Sequence, residues 1–560
     1  MTERRTRRPR YRNIGKDLGA GLVRGLVGVP DGLANGLLAG LSPVAGLYGY
    51  LVGTVVGAVS TSSVLMTVQS TGALAVIVSD VSEVHHGQGQ ATALATLGIL
   101  TGLVMLLLGV LRLGSLVRFI PNAVLTGFIT AVAINIILGQ LAGFTGYTSE
   151  AQGRLARAFS TVMNVTSFHW QSVLVGVITI ALIVVLERTP LRSLGLVVAV
   201  VVGSLVAAIP QLGGVEVLRD ITEIPAALPV PVLPSLEAVP VLLIPALSLA
   251  FVGLVQGAAI SQAVPNPNGE YPNVSGDFRG QGLANIASGI LRGMPVGGSM
   301  SSTNLLVAAG AKSRLANLSA GAVMIVVILG FSELAGYIAM PALSGLLIVV
   351  GARMLRFDQI LGVWRTSPAQ ATIMVITFVL TLIIPLQYAV LIGIGIAVIL
   401  FVTRLSNTLR VVQWVFDPGA PLPREEKPPV VLAPHELVVL TVYGSLFFAS
   451  APLFTDQLPT VTDDTRGSVV VLRLRGKDDL GSTIIRAITR YAAELHDTGS
   501  HLMLSGIGKS LLDQLSATRA LEAIGRENVF TATAKVGESL AASIARGNEL
   551  IEQDRRRDDT

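Results

Sequence analysis

Long apolar segments, separated by short polar loops, make up most of the chain as far as residue 410. About 20 apolar residues cross a bilayer as a helix, so the longer segments have the length of membrane spans. We predict that fourteen segments enter the membrane, several of them shorter than a full span. They are residues 18–40, 46–66, 69–80, 92–112, 120–140, 172–187, 194–210, 241–263, 281–292, 302–311, 316–332, 339–352, 370–384 and 387–404.

Two of the short apolar segments share one design. Each carries a Ser/Thr pair, Ser70 with Thr71 and Ser302 with Thr303, directly before an apolar run that is too short to cross a bilayer. We therefore predict two half-helices that begin inside the membrane. The first N–H groups of a helix have no partner within it, and the helix dipole adds about half a positive charge there, so such an end attracts anions. Two of them in matching halves of a chain are typical of a transporter's binding site.

A proline-rich stretch divides the apolar segments into two groups of seven. Residues 211–240 contain five prolines and cannot continue a span, because proline breaks helices. Residues 27–32 before this stretch resemble residues 252–257 after it. The two halves are predicted as residues 18–210 and 241–410. Since seven is an odd number, the second copy is inverted in the membrane, and we predict an all-α membrane domain of seven-plus-seven inverted repeats.

The chain changes character after the predicted membrane domain, which covers residues 18–410. Residues 411–435 are rich in proline and charge, which is typical of a linker. In residues 436–550, short alternating strands are interleaved with helical patterns, which predicts a small α/β domain. Residues 1–17 form a basic tail, and residues 551–560 form a charged tail that we expect to be disordered.

Composition and charge exclude several classes of protein. Apolar residues make up 51% of the chain and charged residues 13%, with a mean hydropathy of +0.68, which excludes an ordinary soluble protein. The net charge of +5 comes from Lys and Arg in the N-terminal tail and in short loops, so no nucleic-acid partner is predicted. The same distribution predicts that both termini are cytoplasmic.

Candidate catalytic chemistry is missing from the sequence. The chain has no cysteine, which excludes disulfides and thiolate chemistry. It also has no nucleophile beside a base, no cluster of metal ligands and no cofactor motif. We therefore predict a protein that is not an enzyme and that has no metal site and no cofactor, apart from a coupling Na+ or H+.

Three stretches resemble the sulfate permease (SulP) family of anion transporters. Residues 38–43 with 46–48 are similar to the signature of the family's first helix and the segment after it. Residues 280–289, followed by 293–298, are similar to its most specific stretch. Residues 443–449 resemble the opening strand of the family's C-terminal STAS domain.

This resemblance implies how the site is built. In the family, the spans are divided into a core and a gate, the substrate lies between the facing ends of helices three and ten, and helices one and eight line the site. The resemblance also implies a homodimer. Carried over to this sequence, the substrate-binding residues are Gln69, Ser70, Thr71, Gly72, Ser301, Ser302, Thr303 and Asn304, and the residues that line the site are Asp31, Asn35 and Gln256.

Two positions depart from the family pattern. Gln256 stands where most relatives carry a Glu in helix eight, and Ser302 stands where many carry an Arg at the start of helix ten. By the repeat register, Asp31 is the counterpart of Gln256, so we hypothesise that the acidic group has moved to helix one, where it takes up a proton or binds Na+. Without the Arg, the helix ends must carry more of the attraction for the anion, about one positive charge in total. This weakens the case for a doubly charged substrate.

Together, these observations predict a secondary active transporter in the inner membrane. It moves a small anion such as sulfate, bicarbonate or a dicarboxylate by alternating access, as a symporter coupled to protons or Na+. Two alternatives stay open: a passive anion channel or exchanger, and a membrane-linked STAS signalling protein. The expected partners are the anion, membrane lipid, a second copy of the chain and a cytoplasmic regulator at the STAS-like domain.

Overall fold

The computed structural model describes residues 14–85, 89–114, 121–151, 153–189, 194–209, 211, 214–417, 419 and 422–558. The chain forms two compact units, Met1–Ala397 and Val398–Thr560. Helices dominate the first unit, and the second contains a six-stranded sheet with helices on both faces.

Every predicted apolar segment contains a helix, because a helix bonds its own backbone polar groups where no water is available. The helices in chain order are α1 Ile14–Leu38, α2 Pro43–Ser60, α3 Gly72–Val78, α4 Gln90–Val110, α5 Asn122–Gly139, α6 Leu141–Thr145, α7 Arg154–Met163, α8 Trp170–Leu186, α9 Gly195–Ala207, α10 Leu218–Ile221, α11 Val239–Ala263, α12 Val274–Ile290, α13 Met300–Ala308, α14 Leu315–Gly330, α15 Ser332–Gly336, α16 Met340–Met354, α17 Phe357–Thr366, α18 Pro368–Ile383 and α19 Leu386–Ser406, which runs from the first unit into the second. Five of them, α6, α7, α10, α15 and α17, lie in predicted loops. By length and hydropathy, α2, α4, α11 and the continuous stretch Asn122–Thr145 are each able to cross a membrane alone.

A short pair of strands departs from the all-α prediction. β1 (Thr67–Gln69) and β2 (Gly297–Ser299) pair in antiparallel register, with Thr67 opposite Ser299. Backbone groups that are extended inside an apolar interior must still find partners, and these two strands satisfy each other. β2 also passes close to α11, because a Cβ atom on Gly298 would lie 3.0 Å from the Cα atom of Gly257. The predicted half-helices are therefore strand–helix junctions.

The spanning helices pack into two groups. The first consists of α1 to α4 with α11 to α14, and its largest contacts join α12 to α4 and α1 to α14. The second contains α5, α8, α9, α16 and α18. Contacts between the groups are few and include α3 against α5 and α1 against α16. Glycines allow the closest approaches within the first group: a Cβ atom on Gly25 would lie 2.6 Å from Cβ of Val323 on α14.

The second unit is built on a mixed sheet. Its strands are β3 Arg410–Val415, β4 Arg424–Glu426, β5 Leu437–Tyr443, β6 Val469–Arg473, β7 His501–Ile507 and β8 Val529–Thr531, in the spatial order β4-β3-β5-β6-β7-β8. β5 to β8 are parallel, whereas β3 and β4 pair in antiparallel register. Its helices are α20 Ala451–Asp456, α21 Ser482–Asp497, α22 Lys509–Ala517, α23 Ala520–Ile524 and α24 Glu538–Asp558. α24 packs on one face of the sheet, and α20 to α23 pack on the other.

Two predicted boundaries are wrong. Residues 411–435 were predicted as a linker, yet β3 and β4 lie within this region, and Val411 and Trp414 pack against the sheet. Residues 551–558, predicted as part of a disordered tail, continue α24, because Ile551 is 6% exposed in the apolar layer beneath that helix. In both places a few apolar side chains anchor a segment whose composition is otherwise typical of disorder.

Candidate functional site

The first junction, between β1 and α3, contains four of the predicted binding residues. Thr71 is the N-cap of α3, and its hydroxyl accepts a hydrogen bond of 3.4 Å from the N–H of Leu74. The Ser70 hydroxyl donates to the carbonyl of Gly46 at 3.1 Å and is fully buried, so it holds the junction to α2. Gly72, the first residue of α3, is partly exposed. The first backbone N–H groups of α3 therefore lie next to the buried Ser70 hydroxyl and the Thr71 N-cap.

The second junction differs in register from the prediction. The N-cap of α13 is Ser299, so Ser302 and Thr303 lie within the first turn of the helix rather than before it. The Thr303 hydroxyl donates to the Ser299 carbonyl at 2.7 Å and accepts from the N–H of Thr67 at 3.1 Å, and thus ties α13 to β1. Ser301 and Asn304 are exposed. The prediction missed the true cap because four of the five residues 299–303 are serine or threonine, and each can cap a helix.

Arg24 on α1, which the sequence prediction did not include, joins the two junctions. Its guanidinium Nη2 donates to the Oγ of Ser302 at 2.5 Å and to the Oε1 of Gln69. The guanidinium lies over the ring of Tyr50, 4.8 Å from the ring centroid. Arg24 is only 1% exposed, and its Nε atom has no hydrogen-bond partner. A buried cation with a free donor at this position can bind an anion.

Asp31 lies on the same face of α1, seven residues after Arg24. Its carboxylate accepts from Gln69 Nε2 at 3.0 Å and from Asn35 Nδ2 at 3.4 Å, and it lies 3.9 Å from the Arg24 guanidinium. Asn35 also donates to the Ser70 carbonyl at 3.2 Å. The Asp31 side chain is 22% exposed, whereas that of Arg24 is 1% exposed, so the carboxylate is the more accessible member of the pair.

Gln256 on α11 lies on another side of the first junction. Its Oε1 atom accepts from the Thr71 hydroxyl at 3.3 Å, and the same atom would lie 3.3 Å from a Cβ atom on Gly297 of β2. Gln256 is partly exposed. α1 and α11 thus each place a polar side chain at the first junction, Asp31 bonded to Gln69 and Gln256 bonded to Thr71.

The charge distribution overturns one expectation from the sequence. We expected the helix ends to attract the anion without a cation at Ser302, but Arg24 reaches Ser302 from α1. The charges of Arg24 and Asp31 cancel, and the two helix ends add about one positive charge. A lone Arg within an apolar span, seven residues before an Asp, was the signal that could have revealed this pair, because ionisable residues in spans are costly and mark functional sites.

A sequence profile of the sulfate permease family matches residues 14–377, which is more than half of the chain. The chain belongs to the sulfate permease family. A STAS domain profile matches residues 428–536. The resemblance stated from the sequence is thereby confirmed, as is the predicted fold class of a helical membrane domain followed by a small α/β domain. The protein is a multi-pass membrane anion transporter with a STAS domain.

Relatives at moderate identity cover most of this chain. A probable sulfate transporter of Mycobacterium tuberculosis is 27% identical over 496 residues, which cover 87% of this chain and 88% of that protein. The bicarbonate transporter BicA of Synechocystis is 28% identical over 366 residues, 65% of this chain and 64% of BicA. Among solved structures, SLC26A9 matches with a TM-score of 0.82 at 19% identity, covering 98% of this chain and 92% of that one. The BicA transmembrane domain matches with a TM-score of 0.59 at 25% identity, covering 70% and 98%.

Proposed function

We propose that this member of the sulfate permease family is a secondary active transporter that moves a small oxyanion of the sulfate or bicarbonate class by alternating access. The observation that carries the proposal is Arg24, a buried guanidinium with a free Nε donor between the two strand–helix junctions. The names of the relatives from Mycobacterium and Synechocystis, a sulfate and a bicarbonate transporter, support the substrate class.

In this proposal the anion binds between the opening turns of α3 and α13, beside Arg24. The exposed polar groups there, Ser301 and Asn304, together with partly exposed Gly72, offer hydrogen bonds without a further charge. Arg24 supplies the charge-assisted bond that distinguishes an anion from water. Gln69, bonded to both Arg24 and Asp31, keeps the cation and the carboxylate in fixed positions.

Asp31 is proposed as the coupling residue. While its carboxylate is charged, it neutralises Arg24 and opposes an incoming anion. A proton or an Na+ ion on Asp31 would remove that opposition, so anion and cation would bind together. Coupled binding of this kind is what symport requires.

Two features support the proposed membrane arrangement. The basic N-terminal tail and the loop arginines favour cytoplasmic termini in the inner membrane. The two helical groups, joined by few contacts, are suited to move relative to each other around the junctions, as alternating access needs. A homodimer and a cytoplasmic partner for the STAS domain belong to the same proposal.

Uptake by the purified protein in proteoliposomes tests the proposal. Labelled sulfate and bicarbonate are offered with and without an inward Na+ gradient or proton gradient, and chloride and dicarboxylates serve as competitors. We expect accumulation of one oxyanion above its equilibrium level when one cation gradient is present. Uptake that only ever reaches equilibrium would instead identify a passive channel or exchanger, and no uptake of any oxyanion would refute the proposed substrate class.

A further inference from the structure

A cluster of polar side chains lies inside the STAS domain, at the carboxyl ends of its parallel strands. Thr441 on β5 is opposite Arg473 on β6, which is opposite Ser505 on β7. Register partners share a face of the sheet, and this face is the one that α24 covers, since Val439, Val471 and Met503 two residues earlier pack beneath that helix. Ligands of open parallel sheets bind outside the carboxyl ends of the strands.

Three atoms of residues at these strand ends, Oγ1 of Thr441, Oγ of Ser505 and Nη1 of Arg475, are buried without a hydrogen-bond partner, as is Nε1 of the neighbouring Trp414. Thr441 is 2% exposed and Ser505 is fully buried. The Arg475 side chain is fixed, because its Nη2 donates to the carbonyl of Thr533 at 3.0 Å. A buried polar atom without a partner costs about 1–3 kcal/mol, so three together indicate a ligand that accepts their hydrogen bonds. We call Thr441, Arg473, Arg475 and Ser505 the strand-end cluster.

The strand-end cluster carries two positive charges and no negative one. Among the described residues, no carboxylate lies within 4.0 Å of the guanidinium of Arg473 or Arg475. Burial lowers the pKa of Arg473; Tyr443 opposes this shift, and neighbouring Arg475 adds to it. Arg473 also lies over the ring of Trp414, 4.6 Å from the ring centroid. Two arginines held close together without a counter-ion favour an anion between them.

The direction of α24 places its N-terminus toward the strand-end cluster. Leu540 near its start packs with Val471 and Met503, whereas a Cβ atom on Gly547 would lie 3.1 Å from Val469 at the start of β6. The helix therefore runs opposite to the strands, and its N-terminus lies toward the strand-end cluster. The acidic residue of its first turn, Glu538, accepts a hydrogen bond from the Thr533 side chain at 2.5 Å.

We propose that the strand-end cluster binds a tetrahedral oxyanion, phosphate or sulfate, between Arg473 and Arg475. An apolar ligand would leave the donors unpaired, and a cation would be repelled by the two guanidinium groups. Two hydroxyl and two guanidinium donors match a ligand with several acceptor oxygens. This second anion site lies in the STAS domain and does not depend on the proposed transport function.

Trp414 provides a direct reporter of the proposed site. The chain has three tryptophans, so the variant Trp170→Phe/Trp364→Phe leaves Trp414 as its only one. Full-length protein in detergent is titrated with potassium phosphate or potassium sulfate, with potassium chloride keeping the ionic strength constant. We expect a saturable change in Trp414 fluorescence with at least one oxyanion, and the comparison of the two titrations identifies the preferred one. The lack of a saturable change with both would refute the proposal.

Substitutions in the strand-end cluster distinguish oxyanion binding from an effect on packing. Arg475→Gln should raise the apparent Kd for the oxyanion about tenfold, since one charge-assisted bond is lost. Thr441→Val and Ser505→Ala should also weaken oxyanion binding, because each removes a hydroxyl donor. If the cluster bound no ligand, removing an unsatisfied buried hydroxyl would instead only stabilise the domain. Arg490→Gln, which removes an exposed charge paired with Glu494 on α21, is the matched control and should leave the titration unchanged. The proposal would be overturned if the saturable fluorescence change were the same in Arg475→Gln and Thr441→Val as in the parent protein. It would also be overturned if Arg24→Gln, at the transport site, abolished that change.

Discussion

Arg24 Nη2 lies 2.5 Å from Ser302 Oγ, so a cation from the first helix reaches the opening turn of a half-helix that begins 276 residues later in the chain. In the family pattern, the cation often comes from the position of Ser302 itself and the acid from the position of Gln256. In this protein α1 provides both, as Arg24 and Asp31. Moving both charges together keeps the pair neutral, which is the arrangement that costs least inside an apolar interior.

Replacing Arg24 tests whether this pair is needed for the anion or only for folding. Arg24→Gln leaves Asp31 without its counter-charge, and breaking a buried pair costs about 3–5 kcal/mol. The double variant Arg24→Gln/Asp31→Asn removes both charges and should regain most of that stability. We expect neither variant to take up oxyanion at more than about a tenth of the wild-type rate. Thermal unfolding in detergent and uptake are measured on the same samples, and near-normal uptake by the double variant would remove Arg24 from anion binding.

The substitution Asp31→Asn tests whether Asp31 couples anion uptake to a proton or Na+ gradient. The substitution keeps the size of the side chain and its contact with Gln69, but the carboxylate no longer opposes the anion. We expect oxyanion binding to become tighter and uptake to lose its dependence on the cation gradient. The measurement is uptake across external pH, with and without Na+. If the dependence on both cations is unchanged, Asp31 is not the coupling residue.

Gly28 leaves room for the Tyr50 ring, over which the Arg24 guanidinium lies. A Cβ atom on Gly28 would lie 2.6 Å from Cε1 of Tyr50, the ring over which the Arg24 guanidinium lies. Gly28→Ala should therefore cost about 1–3 kcal/mol of stability through overpacking and should also reduce uptake. Gly19→Ala is the matched control on the same helix, because no atom lies within 4 Å of its added Cβ. Equal melting temperatures for the two variants would contradict this role of Gly28.

Much of the membrane fold followed from the positions and lengths of the apolar segments, because lipid requires helices wherever the backbone is not otherwise bonded. The strand pair β1 and β2 could not be predicted in this way. Three-residue strands have too few positions for an alternating pattern, and Gly297 and Gly298 contribute no side chains to one. The pair forms because each strand bonds the backbone of the other, and Gln281 on α12 accepts a hydrogen bond from the N–H of Gly298 at 3.1 Å.

The site was only partly visible in the sequence for a similar reason. Ser/Thr clusters identified the two junctions, but which hydroxyl caps a helix depends on backbone geometry, and Ser299 caps α13 instead of Ser302. Arg24 was missed because the residues that satisfy it, Gln69 and Ser302, are distant in sequence. An arginine near a basic tail is also easily assigned to the membrane surface.

In the STAS domain, His501 makes stability depend on pH. Burial lowers the pKa of His501 below its ordinary value of 6.5, and Asp554 opposes the shift. The unfolded chain then binds the proton more readily than the folded domain, so the stabilisation is complete above about pH 6.5 and declines as pH falls below it. His501→Gln should show a smaller loss of melting temperature between pH 7.5 and pH 5, followed by the fluorescence of Trp414. Parallel pH profiles for the two proteins would contradict the assignment.

Arg154 forms a bridge between the two helical groups. Its guanidinium donates to the Val76 carbonyl at 3.1 Å, to the Ser79 hydroxyl at 2.5 Å and to the Asp80 carboxylate at 2.5 Å. These acceptors lie in the last turn of α3 and directly after it, where the helix dipole favours a cation. α7, which carries Arg154, packs instead on α5 of the second group and on α6. A movement that separates α7 from the C-terminal end of α3 would therefore break these bonds.

We expect Arg154→Gln to shift the protein away from the conformation in which the bridge is formed. Charge-assisted hydrogen bonds contribute about 1.5–3 kcal/mol each, and losing one changes the ratio of two conformations by at least tenfold. Since the chain has no cysteine, Asn304→Cys beside the junctions can be labelled from one side of the membrane without background. Arg154→Gln should change that labelling rate several-fold, whereas Arg157→Gln, an exposed charge on the same helix, should not. If both variants are labelled at the same rate as the Asn304→Cys protein with Arg154 intact, the bonds of Arg154 do not control which conformation is populated.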